Sequence, residues 1–293
     1  MLQGQLLKQE SLAPYTSWRT GGQAEYIYLP ANVEDLAKFL QQLALDIPVT
    51  WLGLGSNTLI REGGVEGVVI ITQGKLNQLT HTHDQETQSI RVEAGVSCAQ
   101  LARYSARLGF TGLEFMAGIP GTVGGALAMN AGCYGGETWQ TVHRVETLDR
   151  LGKQRIRPAA DFSVSYRHVV RPPQEWFIAG HFMPKIGQKE HSLEEIRCLL
   201  EKRNASQPTG TANCGSVFRN PPGNHAARLI EQCGLKGKKR GGACVSEKHA
   251  NFIINEGNAT AADIEALITE VADEVAEKTG IRLVPEVCII GRM

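Results

Sequence analysis

Two glycine-rich stretches are the first places in this sequence where residue type and spacing suggest chemistry. GLGSN, residues 53–57, follows a predicted buried strand, and GIPGTVGG, residues 118–125, continues into ALAMNAGCYGG. Because glycine has no Cβ, its backbone N–H groups can approach a phosphate closely, and Gly121–Gly125 would cradle a diphosphate in this way. A tight turn explains either stretch alone. The two together favour a bound dinucleotide or diphosphate.

The two common nucleotide-binding fingerprints do not fit these stretches. GLGSNT begins like GxGxxG, but Thr58 stands at its last position, and no acidic residue follows about twenty positions later to bind a ribose. Lys75 follows Gly74 without the upstream glycine and the downstream Ser or Thr of a P-loop. The nucleotide site is therefore expected on another fold.

Strands and helices must position these loops. Hydrophobic periodicity predicts strands at residues 24–29, 49–54, 66–72, 90–94, 142–149, 176–183, 215–218, 251–255 and 281–291. Helices are predicted after the N-caps Asn32, Ser97 and Thr260, after a capping box at Ser192 and Glu195, and at residues 225–233. The mixture predicts an α+β protein built from three small α/β modules.

The composition excludes several classes of protein. The 293 residues carry 30 basic and 30 acidic side chains, so no net charge points to nucleic acid or a membrane surface. The first twelve residues lack the apolar core of a signal peptide, and no apolar run could span a bilayer. Seven scattered cysteines without a CxxC pair indicate neither a disulfide framework nor a zinc site. We expect a soluble, cytoplasmic, metal-free monomer, although the sequence does not determine its oligomeric state.

The pairing of GLGSNTLI with GIPGTVGGALAMNAGCYGGE resembles the FAD-binding domain of the vanillyl-alcohol-oxidase type of flavoprotein. Further motifs narrow the resemblance to the UDP-N-acetylenolpyruvoylglucosamine reductases. In chain order they are TSWRTGG (16–22), SYR (165–167), CGSVFRNPPG (214–223), IEQCGLKG (230–237), GGACVSEKHANFIIN (241–255) and LVPEV (283–287). Longer members insert a tyrosine-bearing loop between the second and third of these motifs. Here no tyrosine follows Tyr166, which indicates the short, type II form.

This resemblance implies an enzyme in which NADPH reduces a non-covalently bound FAD, and the FAD delivers hydride to an enolpyruvyl ether on UDP-N-acetylglucosamine. The product would be UDP-N-acetylmuramate, a peptidoglycan precursor. The family's organisation implies that residues 1–74 and 75–198 form the two halves of the FAD-binding domain and that residues 199–283 form a substrate-binding domain. Residues 284–293 would return to the first half as a strand.

The same resemblance implies contacts to FAD from the two glycine loops and from the segment that follows the second loop. The expected residues are Gly53, Gly55, Ser56, Asn57, Thr58, Gly118, Gly121, Thr122, Val123, Gly124, Gly125, Asn130, Ala131 and Gly132. Tyr134 and Asn220 match positions that contact the sugar nucleotide in relatives. The basic residues 236–240 would suit a diphosphate or the 2′-phosphate of NADPH, but such a run is more often a solvated loop.

Three matched residues would carry the reduction. Hydride addition to the methylene carbon builds negative charge on the α-carbon and carboxylate, so the site needs a cation and an acid. Arg167 matches the carboxylate-binding arginine, Ser216 the proton donor, and Glu286 a second residue at the substrate carboxylate. If Glu286 is buried, it could hydrogen-bond the enolate as a neutral acid. The structural alternatives are a surface ion pair, a turn serine and an outward-facing strand residue, respectively.

Two other functions remain open at this stage. One is a different FAD oxidase or dehydrogenase on the same flavin domain, which would act on an alcohol or a sugar. The other is a nucleotide-sugar-binding protein that has kept the fold and lost the flavin.

Overall fold

The computed structural model describes residues 1–84 and 87–293, and the chain divides into two compact units. Unit 1 comprises Met1–Leu7, Ile27–Leu54 and Gly67–Lys202. Unit 2 comprises Lys8–Tyr26, Gly55–Glu66 and Arg203–Met293. The division into three modules at residues 74, 198 and 283 stays a prediction.

Within the described residues the chain forms six α-helices and 21 strands. The helices are α1 (Val33–Gln42), α2 (Cys98–Arg107), α3 (Val123–Met129), α4 (Lys189–Ser206), α5 (Ala226–Gln232) and α6 (Ala261–Thr279). Short 3-10 helices lie at Ala13–Tyr15, Glu114–Gly118, Thr138–Gln140 and Ala159–Asp161. No helix in this described part of the chain is long and apolar enough to span a membrane.

The strands are two to eight residues long. They are β1 (Gln5–Ser11), β2 (Gln23–Leu29), β3 (Val49–Leu52), β4 (Thr58–Ile60), β5 (Val65–Ile71), β6 (Leu79–Asp84), β7 (Thr87–Glu93), β8 (Phe110–Thr111), β9 (Gly132–Cys133), β10 (Gly136–Glu137), β11 (Val142–Asp149), β12 (Gln154–Pro158), β13 (Ser163–Ser165), β14 (His168–Val170), β15 (Glu175–Phe182), β16 (Lys185–Ile186), β17 (Ala212–Asn213), β18 (Lys239–Arg240), β19 (Ala243–Val245), β20 (Ile253–Asn255) and β21 (Cys288–Ile290).

Unit 1 is built on a five-stranded antiparallel sheet in the order β12-β11-β15-β7-β6. β3 and β5 pair in parallel, with Leu52 opposite Ile71. Helices α2 and α3 contribute Leu101 and Leu127 to a hydrophobic core that also contains Phe182 of β15. This core fixes the segments that lead into and out of the second glycine-rich stretch.

Unit 2 contains a four-stranded sheet in the order β17-β20-β19-β18, and α6 packs against it. Trp18 is fully buried, and its ring N–H donates to the carbonyl of Ile253 at 2.8 Å. Asn255 donates to the Trp18 carbonyl, also at 2.8 Å. β21 pairs in parallel with β4, so the end of the chain lies beside the segment that follows GLGSN.

Most of the predicted helices are confirmed, together with their caps. Asn32 accepts a hydrogen bond from the Asp35 N–H at 2.8 Å at the start of α1. Thr260, the predicted N-cap of α6, forms a capping box with Asp263, and the helix ends at Gly280 in the left-handed conformation. Local sequence patterns were sufficient here because these caps satisfy the helix termini through near neighbours in the chain.

One predicted cap and one predicted strand are wrong, whereas the predicted helix that ends before Pro208 is confirmed. Helix α4 begins at Lys189, so Ser192 lies inside it and does not cap it; the buried Ser192 hydroxyl donates to the Phe110 carbonyl at 3.0 Å. Residues 215–218 form no strand beyond one isolated bridge between Phe218 and Pro285. The predicted strand at 281–291 is regular only from Cys288, because Pro285 lacks the N–H group that a ladder needs.

Candidate active site

The GLGSN loop belongs to unit 2 from Gly55 onward, and its shape requires a glycine there. Gly55 has φ +65°, and a Cβ at this position would overlap the carbonyl oxygen of Tyr15 and lie 2.8 Å from Cα of Thr16. Ser17 N–H donates to the Gly55 carbonyl at 3.2 Å. The TSWRTGG segment therefore packs directly on this loop and holds its backbone.

Asn57 links the same loop to residues 285–287, the PEV segment. Its side-chain amide donates to the carbonyl of Glu286 at 3.1 Å, and its own carbonyl accepts from the Cys288 N–H at 3.0 Å. The predicted contact of Asn57 with FAD stays a prediction, and the side-chain N–H group of Asn57 holds the backbone of Glu286. The Ser56 hydroxyl, by contrast, has no hydrogen-bond partner among the described residues.

Ser216 and Glu286, two of the predicted catalytic residues, lie on adjacent segments of unit 2. The Glu286 N–H donates to the carbonyl of Val217, the residue after Ser216, at 2.7 Å. Both Ser216 and Glu286 are half-buried. In the described part of the chain no group hydrogen-bonds the Ser216 hydroxyl, so this hydroxyl makes no cap or turn contact there.

Asn251 holds the Ser216 loop, and sequence reasoning missed its role. Its carbonyl accepts from the Val217 N–H at 2.9 Å, while its side chain accepts from the Phe218 N–H at 3.0 Å and donates to the Phe218 carbonyl at 2.8 Å. Asn251 is 3% exposed, so these bonds are made away from water. The GGACVSEKHANFIIN motif contains this residue, but its partners lie 33 positions away.

We expect Asn251→Ala to lower the free energy of unfolding by about 2 kcal/mol, because two buried side-chain hydrogen bonds are lost. The variant should also slow flavin re-oxidation by substrate more than flavin reduction, because only re-oxidation by substrate uses Ser216. Asn255→Ala is the matched control: it too removes buried hydrogen bonds, but those bonds lie at Trp18 and Ala259. Equal effects of both variants on re-oxidation would contradict a positioning role for Asn251.

The second glycine-rich stretch lies in unit 1, and the structure uses most of its backbone N–H groups internally. Those of Gly121, Val123 and Gly124 donate to the carbonyls of Ile119, Val96 and Ala94 at 3.0, 2.8 and 2.9 Å. The Gly125 N–H makes only a long bond of 3.4 Å to the Thr122 hydroxyl. These three N–H groups are therefore engaged within the protein, and the diphosphate contact of Gly121–Gly125 stays a prediction.

The adjacent glycines Gly124 and Gly125 differ in what surrounds them. A Cβ on Gly124 would lie 2.8 Å from Cβ of Ala94, so glycine is needed there to let α3 approach the end of β7. A Cβ on Gly125 would meet nothing closer than the Thr122 hydroxyl oxygen at 3.7 Å. A valine at residue 124 would therefore disturb packing, whereas a side chain at residue 125 would enter open space.

Arg167 is anchored on the segment that follows α3. It occupies the two-residue turn between β13 and β14 at φ +55°, a conformation that few non-glycine residues adopt. Its guanidinium donates to the carbonyls of Asn130 and Gly132 at 3.3 and 2.8 Å and lies 4.9 Å from the Tyr166 ring centroid. The structure thus brings the predicted carboxylate-binding arginine next to two predicted cofactor-binding residues.

Three other predicted ligand-binding side chains already have structural partners. Asn130 is buried, donates to Glu137 and the Ser165 carbonyl, and accepts from the Trp139 N–H. The Tyr134 hydroxyl donates to the Leu199 carbonyl at 2.9 Å. The Asn220 carbonyl oxygen accepts from the Ala226 N–H at 3.0 Å at the start of α5, which leaves its amide N–H groups available.

The basic residues 236–240 are paired with carboxylates of unit 2. Lys236 lies 2.7 Å from Glu231 and Lys239 lies 2.8 Å from Glu256. Lys238 bonds Glu274, and Arg240 lies 3.3 Å from Glu270. This arrangement favours the solvated-loop interpretation over an open phosphate site. Among residues 1–84 and 87–293, no group of His, Cys, Asp and Glu is placed to hold a metal ion.

The sequence matches two family models that together cover most of the chain. The model described as FAD binding domain matches residues 24–156. The model described as UDP-N-acetylenolpyruvoylglucosamine reductase, C-terminal domain, matches residues 207–290. The first range contains both glycine-rich stretches and Arg167 follows it, whereas the second contains Ser216, Asn251 and Glu286.

Full-length relatives and solved structures are similar over nearly the whole chain. UDP-N-acetylenolpyruvoylglucosamine reductase from Legionella pneumophila is 59% identical over 99% of this chain and 93% of its own length. The enzyme of that name from Alkalilimnicola ehrlichii is 57% identical over 98% and 95%. The crystal structure of UDP-N-acetylenolpyruvylglucosamine reductase from Thermus caldophilus superposes with a TM-score of 0.81 at 31% identity, covering 99% of each chain. 6-Hydroxy-D-nicotine oxidase from Arthrobacter nicotinovorans, at 12% identity and a TM-score of 0.57 over 97% of this chain and 89% of its own, shares the fold.

Proposed function

The chain belongs to the UDP-N-acetylenolpyruvoylglucosamine reductase family, and from this premise we propose that it reduces the enolpyruvyl ether of UDP-N-acetyl-3-O-(1-carboxyvinyl)glucosamine to UDP-N-acetylmuramate. FAD would supply the hydride, and NADPH would be its reductant. The reaction would serve peptidoglycan precursor synthesis. We expect the enzyme to act in the cytoplasm as a monomer, with residues 1–74 and 75–198 as its FAD-binding halves and 199–283 as its substrate-binding domain.

One observation supports this proposal most directly. The hydrogen bond of 2.7 Å from the Glu286 N–H to the Val217 carbonyl sets the PEV segment beside the residue that follows Ser216. A proton donor and a second acidic group on adjacent segments are what the addition of hydride to an acrylate-like acceptor requires. Asn57, in the GLGSN loop, donates to the carbonyl of Glu286 and so holds the PEV segment at that loop.

The residues of unit 1 fit a bound dinucleotide. The FAD-binding model covers 24–156, and within it Gly125 borders a cavity that a Cβ would begin to fill. Trp51 lines the same cavity, and its buried ring N–H has no hydrogen-bond partner among the residues that the structure describes. An unmet buried donor is costly, so a ligand that accepts its hydrogen bond would stabilise the folded chain.

Each catalytic residue would have a distinct task. Arg167 would bind the substrate carboxylate, and its cation would stabilise the charge that develops there. Ser216 would donate its hydroxyl proton to the α-carbon and later regain one from water. Glu286 would hydrogen-bond the carboxylate of the enolate. Net addition of a hydride and a proton converts the C=C bond to a saturated carbon pair.

Anaerobic spectroscopy of the purified protein tests the proposal. NADPH should bleach the visible absorbance of the flavin, and the enolpyruvyl nucleotide should then restore it without oxygen. An oxidase on the same fold would instead be reduced by an alcohol or a sugar and re-oxidised by oxygen. A protein that neither contains flavin nor takes up added FAD would indicate a non-catalytic binder.

A further inference from the structure

Asn130 ends helix α3 in a conformation that suits few residue types. It lies in the left-handed region at φ 43° and ψ 51°, which asparagine enters more readily than most other non-glycine residues. Its own N–H donates to the Ala126 carbonyl and so closes the helix. Asn130 is 1% exposed, so its polar side chain needs partners inside the protein.

The side-chain amide of Asn130 finds three such partners, and all of them belong to unit 1. Its Nδ2 group donates to the Glu137 carboxylate at 2.9 Å and to the Ser165 carbonyl at 3.2 Å. Its oxygen accepts from the Trp139 N–H at 3.2 Å. Both amide N–H groups are therefore in use, and a contact of this residue with FAD would have to come from its main chain.

Asn130 holds the SYR hairpin at two points. Strands β13 and β14 pair as far as Ser165 and His168, and Arg167 lies in the two-residue turn between them. The Asn130 amide bonds the Ser165 carbonyl at the start of this turn, and the main-chain carbonyl of Asn130 accepts from the Arg167 guanidinium at 3.3 Å. The Gly132 carbonyl accepts from the same guanidinium at 2.8 Å. One buried residue thus contacts both the backbone that leads to Arg167 and the charged end of its side chain.

Arg167 needs support of this kind for two physical reasons. Its backbone at φ +55° is unfavourable for a residue with a Cβ, so the surrounding structure must hold it there. Its long side chain also loses much rotamer entropy when the guanidinium is fixed in one place. If the fold fixes the guanidinium before the substrate arrives, the substrate carboxylate meets a group that is already oriented.

We propose that Asn130 positions Arg167 for the carboxylate of the enolpyruvyl substrate, through its amide bond to Ser165 and its carbonyl bond to the guanidinium. The inference rests on the proposed function, in which Arg167 binds this carboxylate. It also separates two roles for Asn130. A positioning residue should affect the substrate and spare the flavin, whereas a residue that contacts the cofactor should affect flavin binding.

Asn130→Gly removes the side chain, while glycine readily adopts the left-handed conformation that ends α3. In the flavin-loaded, full-length enzyme, anaerobic stopped-flow absorbance should show flavin reduction by NADPH at the wild-type rate. Re-oxidation by the enolpyruvyl nucleotide should slow about 100-fold, the scale for a misplaced catalytic group. Asn32→Gly is the matched control: it removes an asparagine side chain that accepts from the Asp35 N–H at the start of α1, and it should change neither rate.

Equilibrium binding distinguishes a positioning role from a general loss of structure. The enolpyruvyl nucleotide carries the carboxylate, and UDP-N-acetylglucosamine carries the same nucleotide and sugar without it. Asn130→Gly should weaken binding of the enolpyruvyl nucleotide about 10-fold, the scale for a weakened hydrogen bond to a charged group. Binding of UDP-N-acetylglucosamine should not change. Equal weakening for both ligands, or loss of the bound flavin, would overturn the positioning role.

A double-mutant cycle tests whether Asn130 acts through Arg167. Once Arg167→Ala has removed the guanidinium, Asn130→Gly should slow re-oxidation no further, because two changes that disrupt one interaction are not additive. Additive slowing would overturn the proposal. So would wild-type re-oxidation of the Arg167→Ala enzyme, because Asn130 would then have nothing to position. Both of these outcomes leave the reductase proposal standing, whereas a wild type that the enolpyruvyl nucleotide does not re-oxidise overturns both proposals.

Glu137→Ala tests the same amide from its partner's side and serves if Asn130→Gly does not fold. It removes the carboxylate that Asn130 bonds and leaves Asn130 itself in place. Re-oxidation by the enolpyruvyl nucleotide should slow selectively, as in Asn130→Gly. Glu137→Gln keeps an acceptor oxygen at this position and should restore most of the rate. Wild-type rates of both half-reactions in Glu137→Ala would contradict a positioning role for the Asn130 amide.

Discussion

Ser216→Ala should slow re-oxidation of the flavin by the enolpyruvyl nucleotide about 100-fold or more, the usual scale for a lost general acid. Reduction of the flavin by NADPH should stay close to normal, because that step uses no protein acid. The structure makes the comparison clean: the Ser216 hydroxyl bonds nothing in the described chain, and Asn251 and Glu286 hold the neighbouring backbone through Val217. Removing the hydroxyl should therefore leave the loop in place.

Stopped-flow absorbance under anaerobic conditions measures the two half-reactions separately. Ser89→Ala is a suitable control, because it removes a hydroxyl that bonds Thr82 on an exposed part of unit 1. It should change neither rate. If Ser216→Ala slows both half-reactions equally, the defect lies in folding or flavin binding, and Ser216 is not the proton donor.

The sequence was most informative where structure is set by near neighbours. The caps of α1 and α6 are confirmed because Asn32 and Thr260 bond groups three residues away. The resemblance to the family, and with it the α+β class and the FAD-binding domain, is confirmed because ordered motifs extend along the whole chain. These motifs identify positions, but they do not say which atoms of a residue are already in use.

Contacts between distant segments are what the sequence could not supply. Ser192 has the local pattern of an N-cap, yet its hydroxyl bonds Phe110, 82 positions away. Asn251 looks like one residue of a long motif until its bonds to Phe218 are seen. Sequence reasoning treats Gly124 and Gly125 alike, although a Cβ on Gly124 would collide with Ala94 and a Cβ on Gly125 would enter open space. Each of these distinctions depends on what tertiary packing brings next to the residue.

The surroundings of Glu286 also come from distant segments of the chain. Its backbone is held on two sides, by the Val217 carbonyl and the Asn57 amide. Burial chiefly raises the pKa of the nearby Cys214 and Cys288 thiols, and the charge of Glu286 adds to both shifts. Arg219 acts in the opposite direction on Cys288. Glu286 is half-buried, and its charge acts on both thiols.

We expect Glu286→Ala to slow flavin re-oxidation by substrate about 100- to 1,000-fold, the scale for losing one donor to a developing oxyanion. Hydride transfer places extra negative charge on the substrate carboxylate, which an ionised Glu286 would repel and a protonated one would stabilise through a hydrogen bond. Glu286→Gln keeps an N–H donor and the side-chain shape, so it should retain more activity than the alanine variant.

The pH dependence of flavin re-oxidation by substrate tests whether Glu286 acts in its protonated form. In the wild type the re-oxidation rate should fall as pH rises, with a slope that reports one ionisation, because the donor proton is lost. Glu286→Gln cannot ionise and should flatten this alkaline limb. Glu277→Gln, an exposed glutamate of α6, should leave the limb unchanged. If Glu286→Gln keeps the wild-type limb, the titrating group lies elsewhere, and Glu286 serves only to position the substrate.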